Sequence, residues 1–74
     1  MYYQRLKDLR EDHEMKQKEI AAILEIDQRV YSNYETGKRE IPTRFIVKLA
    51  DLYNTSADYI LGRTNNIMPP TKNK

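Results

Sequence analysis

The sequence predicts an all-α protein, a compact bundle of five helices forming one domain. Three observations carry that expectation. Apolar residues recur at helical spacing in successive segments, without the strict alternation that marks a half-buried strand. Cap-forming residues and glycines fall at the ends of those segments. A chain of 74 residues also has room for only one core. Such a chain buries about 60% of its unfolded surface, so about 3–5 kcal/mol is the stability to expect from that core.

The elements follow in order. Tyr2, Leu6, Leu9 and His13 stand at i, i+4, i+7 and i+11 and mark one face of a first helix, roughly residues 3–13. Ile20, Ala21 and Leu24 mark a second, roughly 16–24. Asp27 is a good N-cap for a third, which Gly37 ends or closely follows. Pro42 suits the first turn of a fourth, whose apolar stripe is Ile46, Leu49, Ala50 and Tyr53. Ser56 caps a short fifth helix, with Asp58 in its first turn and Gly62 after its end. Residues 1–62 are therefore the expected domain. The remainder, "RTNNIMPPTKNK", has no period and two adjacent prolines, and reads as a flexible C-terminal tail over residues 63–74.

Composition narrows the function classes. Lys and Arg number 13 against 11 Asp and Glu, a net charge of +2. Arg63, Lys72 and Lys74 lie in the tail, so residues 1–62 hold ten cations against eleven acids. Overall basicity is no argument for nucleic acid here; the placement of individual charges must carry it. The absence of cysteine excludes disulfides and thiolate metal sites, and one histidine cannot build a zinc site. No metal and no cofactor are expected. No apolar run approaches the ~20 residues that cross a membrane, and no secretory leader is visible, so a soluble cytoplasmic protein is the expectation. No carboxylate pair, nucleophile–base set or phosphate loop is present, which argues against an enzyme. No second domain is available to hold a small-molecule ligand.

The stretch "DQRVYSNYETGKREIP", Asp27 to Pro42, is the informative one. With Gln28 at zero on a helical wheel, Ser32, Arg29 and Asn33 lie at about 40°, 100° and 140°. Tyr31 and Tyr34 lie at about 300° and 240°, toward the core. Val30 and Glu35 sit on the borders. Ser and Asn are poorer helix formers than the Glu and Lys usual on a solvated face. Gln and Asn can pair bidentately with adenine, Arg with guanine, and Ser with either a base or a phosphate. The face is a base reader or an ordinary polar surface. Its context favours the first. Only Glu25, Ile26 and Asp27 separate the second and third helices, which forces a sharp crossing. Ala21 lets the axes approach, and Ile20, Leu24, Ile26, Tyr31 and Tyr34 fill the wedge. That is the helix-turn-helix arrangement, whose second member enters the major groove.

These residues resemble the Cro and phage-repressor type of helix-turn-helix domain, the XRE family. The resemblance covers residues 3–62 and is carried by "MKQKEIAAILEIDQRVYSNYETGKREIP" and "IVKLADLYNTSADYILG". It implies a five-helix, lambda-repressor-like bundle that binds operator DNA, usually as a dimer, and regulates transcription. It implies base and backbone reading by Gln28, Arg29, Ser32 and Asn33. Gln17 matches the family's phosphate-clamping glutamine, and Lys38 and Arg39 match its phosphate contacts, with a solvated charge pair as their plain alternative. Arg44 is a further phosphate candidate or a surface residue. Arg10 and Glu35 match a pair that closes inside the bundle and fixes the third helix against the first.

Three positions depart from the family pattern. Lys16 stands where relatives carry Thr or Ser as the cap of the second helix. Lysine cannot accept the free N–H groups, a local cost of about 1 kcal/mol. Either a DNA phosphate supplies the acceptor and pairs with Lys16, or a poor surface cap is tolerated. Glu25 replaces a glycine in a left-handed conformation, at about 1–2 kcal/mol, so the turn is strained or takes another shape. Val30, usually polar, touches a thymine methyl or flanks the core. Helix 5 and the end of helix 4 are more apolar than a small monomer needs, so Leu52, Tyr59, Ile60 and Leu61 are the expected dimer contact, with Ile67 and Met68 as possible extensions. The leading expectation is a homodimeric repressor or Cro-like switch on a palindromic double-stranded operator. The alternative is the antitoxin half of a toxin–antitoxin pair, which binds its own operator with the same domain.

Overall fold

The computed structural model describes residues 2–69, and among them it holds five helices and no strand. They are α1 (Gln4–Asp12), α2 (Gln17–Leu24), α3 (Gln28–Glu35), α4 (Thr43–Leu52) and α5 (Ala57–Leu61). α2 packs on α3, α1 closes over α3 and α5, and α4 packs on α5. Leu6 and Leu9, Ile20 and Leu24, Tyr31, Ile46 and Leu49, and Ile60 bring every helix into one core. Burying each such side chain contributes about 1.5–3 kcal/mol, offset by the entropy of ordering the chain. Ala21 is buried where α2 meets α3, the small residue that a close crossing needs.

The structure corrects the first stripe at both ends. Tyr2 precedes α1 and is 52% exposed; its Cβ lies over the backbone of Gly37 instead. His13 follows the last helical residue, so it leaves the wheel. Its ring is exposed, tilted against Tyr53 at 4.9 Å, with Nδ1 2.9 Å from the Leu9 carbonyl. The fourth helix buries a wider face than its predicted stripe. Phe45 joins the core, its ring 6.1 Å from Tyr34 and covered by the Arg44 guanidinium at 4.6 Å. Ile41, in the loop before α4, is also buried.

The five helices stop in one way. Just past each end, the N–H groups of two consecutive residues reach back to carbonyls three and five residues earlier. Met15 donates to Arg10 and Glu14 to Glu11; Ile26 to Ala21 and Glu25 to Ala22; Lys38 to Asn33 and Gly37 to Tyr34. Thr55 donates to Ala50 and Asn54 to Asp51; Arg63 to Asp58 and Gly62 to Tyr59. This is the Schellman arrangement, which needs a left-handed residue. Glycine supplies it at Gly37 and Gly62, both at φ 81°; Glu14, Glu25 and Asn54 supply it at φ 55°, 60° and 55°. The turn after α2 thus keeps the left-handed shape with glutamate in it.

The start of α2 is capped from an unexpected side. The Lys16 side chain has no acceptor, but the Glu19 carboxylate takes the Lys16 backbone N–H at 2.7 Å. This is the reciprocal half of a capping box, and it places a negative charge in the first turn. Asp27 accepts from the Arg29 N–H at 2.7 Å and Ser56 from the Tyr59 N–H at 3.0 Å, so α3 and α5 have ordinary side-chain caps.

The segment after α5 does not hang free in its first residues. Arg5, stacked over Tyr59 at 4.0 Å, donates to the carbonyls of Tyr59 (2.8 Å) and Thr64 (2.5 Å) and to Asn65 Oδ1 (2.7 Å). The buried Thr55 hydroxyl donates to the Ile67 carbonyl. Thr64, Asn65 and Ile67 are therefore tied to the body, two of them through backbone oxygens that periodicity could not show. The rest of the predicted tail, with Lys72 and Lys74, lies outside the described residues.

Candidate nucleic-acid interface

α3 begins where Asp27 caps it and buries Tyr31 completely, which rotates the opposite side outward. Gln28 and Arg29 are exposed; Ser32 and Asn33, one turn on, are half-buried. None of these four side chains hydrogen-bonds to the rest of the molecule among the described residues, so their donors and acceptors are available. Val30 is half-buried on the border of this face.

The residues expected at phosphates fall at the two ends of α3. Gln17, at the first position of α2, shares a concave surface with Asp27, Gln28, Arg29 and Ser32. Lys16, just before it, is exposed. The opening N–H groups of α2 lack helical partners, the arrangement that attracts anions at a helix N-terminus. At the other end, the N–H groups of Lys38 and Arg39 both donate to the Asn33 carbonyl, at 2.9 and 3.1 Å, and their side chains are exposed. Arg44 is exposed in the first turn of α4, its guanidinium lying on the Phe45 ring.

Behind this face lies a polar cluster. Arg10 donates from Nε to Glu35 Oε2 at 2.8 Å and from Nη2 to Oε1 at 2.9 Å, a two-point pair that ties α1 to α3. Its Nη1 donates to the Met15 carbonyl at 2.8 Å. Glu35 is only 4% exposed. Burial alone would push its carboxyl up, but hydrogen bonds from Arg10 and then Gln17 hold it below the usual carboxylate range. The Tyr31 hydroxyl is buried without a hydrogen bond of good geometry, yet lies close enough to favour the ionised carboxylate. Burial, and then the charge of Glu35, push the Tyr31 and Tyr53 hydroxyls up.

One contact was hidden from sequence reasoning. Gln17 Nε2 donates to Glu35 Oε1 at 3.0 Å, so the candidate phosphate clamp is bonded to the buried pair. The two residues are on different helices and share no periodic pattern, so nothing in one sequence signals the bond.

A family model described as helix-turn-helix matches residues 6–60, most of the chain, from within α1 to within α5. The chain belongs to the Cro/C1-type (XRE) helix-turn-helix family. Its similar relatives are from Bacillus subtilis (strain 168). One is the uncharacterized HTH-type transcriptional regulator YobD, 38% identical over 74 residues, covering all of this chain and 66% of that protein. Another is the HTH-type transcriptional regulator ImmR, 44% identical over 59 residues, 80% of this chain and 46% of that protein. A third is YonR, an uncharacterized HTH-type transcriptional regulator derived from the SPbeta prophage, 32% identical over 65 residues, 88% of this chain and 60% of that protein. The chain thus spans between about half and two thirds of these relatives' length. No solved structure matches it.

The dimer residues expected in this XRE domain divide. Ile60 is 1% exposed and belongs to the core, so it offers no surface to a partner. Its apolarity is used inside, because α5 turns that side onto the other helices. Leu52 is 38% exposed, Tyr59 is half-buried beneath Arg5, and Leu61 is half-buried. Val47, earlier in α4, and Ile67 and Met68, after α5, are also exposed.

Proposed function

We infer that this XRE domain binds double-stranded DNA sequence-specifically and serves transcriptional regulation, as a homodimeric repressor or Cro-like switch. The observation that carries the reading is the row Gln28, Arg29, Ser32 and Asn33, unpartnered on one face of α3. Lys16 and Gln17 flank it at one end and Lys38 and Arg39 at the other. Flanking phosphate contacts fix position and register; base-edge contacts choose sequence. α3 enters the major groove, and Arg44 adds a phosphate contact from the start of α4. Repression requires no chemistry, only an occupied operator that excludes a competing protein. A dimer formed through Leu52, Tyr59 and Leu61 sets two copies of α3 one helical turn apart, about 34 Å, on a palindromic site. The relatives' names as transcriptional regulators support the same use.

Selection of bound duplexes from a random pool tests this. The expected product is an enriched motif of two inverted half-sites with centres about 10 base pairs apart. Recovery of no motif would remove sequence-specific recognition; a single half-site would remove the dimer.

A further inference from the structure

We propose that Glu35 is a positioning residue for phosphate binding, aiming the Gln17 amide at the DNA backbone. The inference rests on the DNA-binding reading and adds a member to its machinery. Glu35 itself reaches no ligand: it is buried, and Arg10 holds both of its oxygens.

The chemistry is in the amide. A glutamine side chain carries two N–H donors on its nitrogen and only acceptor lone pairs on its oxygen. An ionised carboxylate and a phosphate oxygen are both acceptors only. Gln17 Nε2 already gives one N–H to Glu35 Oε1 at 3.0 Å. The amide is planar, so that bond fixes where the second N–H points. It also fixes which end of the amide is which, because turning the Gln17 carbonyl oxygen toward Glu35 would set two acceptors against each other. Gln17 lines two surface concavities: one with Arg10, Glu35 and Thr36, the other with Gln28, Arg29 and Ser32. Its amide therefore stands between the internal pair and the α3 face. With one donor held within, the other is free for a phosphate beside the base-reading row.

Arg10 belongs to the device at one remove. Its three donating nitrogens are committed to Glu35 and to the Met15 carbonyl. It keeps the carboxylate charged and in place, and the carboxylate orients the glutamine. A pair that fastens α1 to α3 thereby also orders a contact at the surface, before DNA arrives.

A double-mutant cycle separates this from a plain structural role. Binding of the full chain to a short mixed-sequence duplex at low salt is measured for the wild type, Gln17→Ala, Glu35→Gln and the double variant, each checked for folding by circular dichroism. Loss of a hydrogen bond to a charged group predicts about a tenfold loss for Gln17→Ala on any sequence. Glu35→Gln lets the amide turn over, and should lose a similar factor in the wild type but little more when Gln17 is already Ala. Equal losses from Glu35→Gln in both backgrounds would overturn the positioning role. Should Glu35→Gln not fold, the wild type decides by nuclear magnetic resonance of the 15N-labelled Gln17 amide. One Nε2 proton should be protected from solvent exchange in the free protein, and the second should gain protection only with the duplex. Both exchanging freely without DNA, or neither changing with it, would overturn the proposal. A wild type that binds no duplex would instead overturn the DNA-binding reading itself.

Discussion

Arg29 lies in the first turn of α3 and Lys38 follows its end; both are exposed cations, yet they should fail differently. Arg29 stands in the row proposed to face bases, so Arg29→Ala is expected to cost about 1–3 kcal/mol on the preferred duplex and to relax choice at one base pair. Lys38 is proposed to meet phosphate, so Lys38→Ala should weaken every duplex alike and lower the salt slope by about 1. Titrations against single-base variants at several salt concentrations check both. Loss of the same size on every duplex for Arg29→Ala would contradict its role. At Glu35 the argument concerns stability. Removing one partner of a buried pair costs about 3–5 kcal/mol, since the other charge is left unpaired; Arg10→Ala should show this in thermal melts. The pH dependence has a definite sign. Glu35's native value is depressed, so the pair's contribution is complete above the ordinary carboxylate value of 4.5 and is lost as pH falls through the lower native one. Without Arg10, burial pushes the carboxyl up, and acid then favours the folded variant. The gap between wild type and Arg10→Ala should therefore narrow on acidification; a gap that widens would contradict it.

The helix ends show how one backbone requirement is met by unlike residues. Gly37 and Gly62 announce their turns in the sequence, because glycine takes positive φ without a Cβ clash. Glu14 announces nothing, since glutamate is at home in a helix or on a surface; Asn54 is a weaker signal than glycine, because asparagine takes the left-handed conformation more readily than most residues. Glu25 was visible only as a departure from the family's glycine. Its left-handed backbone at φ 60° costs about 1–2 kcal/mol. Glu25→Gly is thus expected to raise stability by about 1 kcal/mol, read as a higher urea midpoint at unchanged slope. A lower midpoint would mean that the glutamate side chain contributes something the turn needs. More generally, the helices were legible because apolar spacing and caps are local signals. Their number, order and approximate ends follow from Leu6, Leu9, Asp27 and Ser56 and their neighbours. What was not legible depends on tertiary partners. Phe45 is buried because Tyr34 and Arg44 happen to cover it, and Ile60 turns inward because α5 lies on α1 and α4. Residues 64–67 are held by Arg5 and Thr55, largely through backbone carbonyl oxygens, which have no sequence identity. The candidate interface was half legible: the wheel gave the α3 face, the family resemblance named Gln17, and neither joined Gln17 to Glu35.

At the scale of the whole molecule, the distribution of charge matters more than its sum. Residues 1–62 carry one more acid than base, yet Lys16, Arg29, Lys38, Arg39 and Arg44 are all exposed, Arg29 within α3 and Lys38 and Arg39 just after it. Glu35, the one acid within α3, is enclosed and neutralised by Arg10. The field that DNA meets is therefore set locally, and screening over about 8–10 Å at ordinary salt hides most of the distant acids. The fold supports that arrangement as a unit: Tyr31 anchors α3 in the core, the Arg10–Glu35 pair fixes it against α1, and the tight turn from α2 sets its angle. The claim on which the rest depends is that α3 lies in the major groove. Methylation interference on the duplex recovered by selection tests it most directly, because guanine N7 lies in the major groove and adenine N3 in the minor. Methyl groups at guanine N7 within each half-site should abolish binding, while those at adenine N3 within the same half-sites should be tolerated. Interference at adenine N3 with none at guanine N7 would place the protein in the other groove and contradict the assignment.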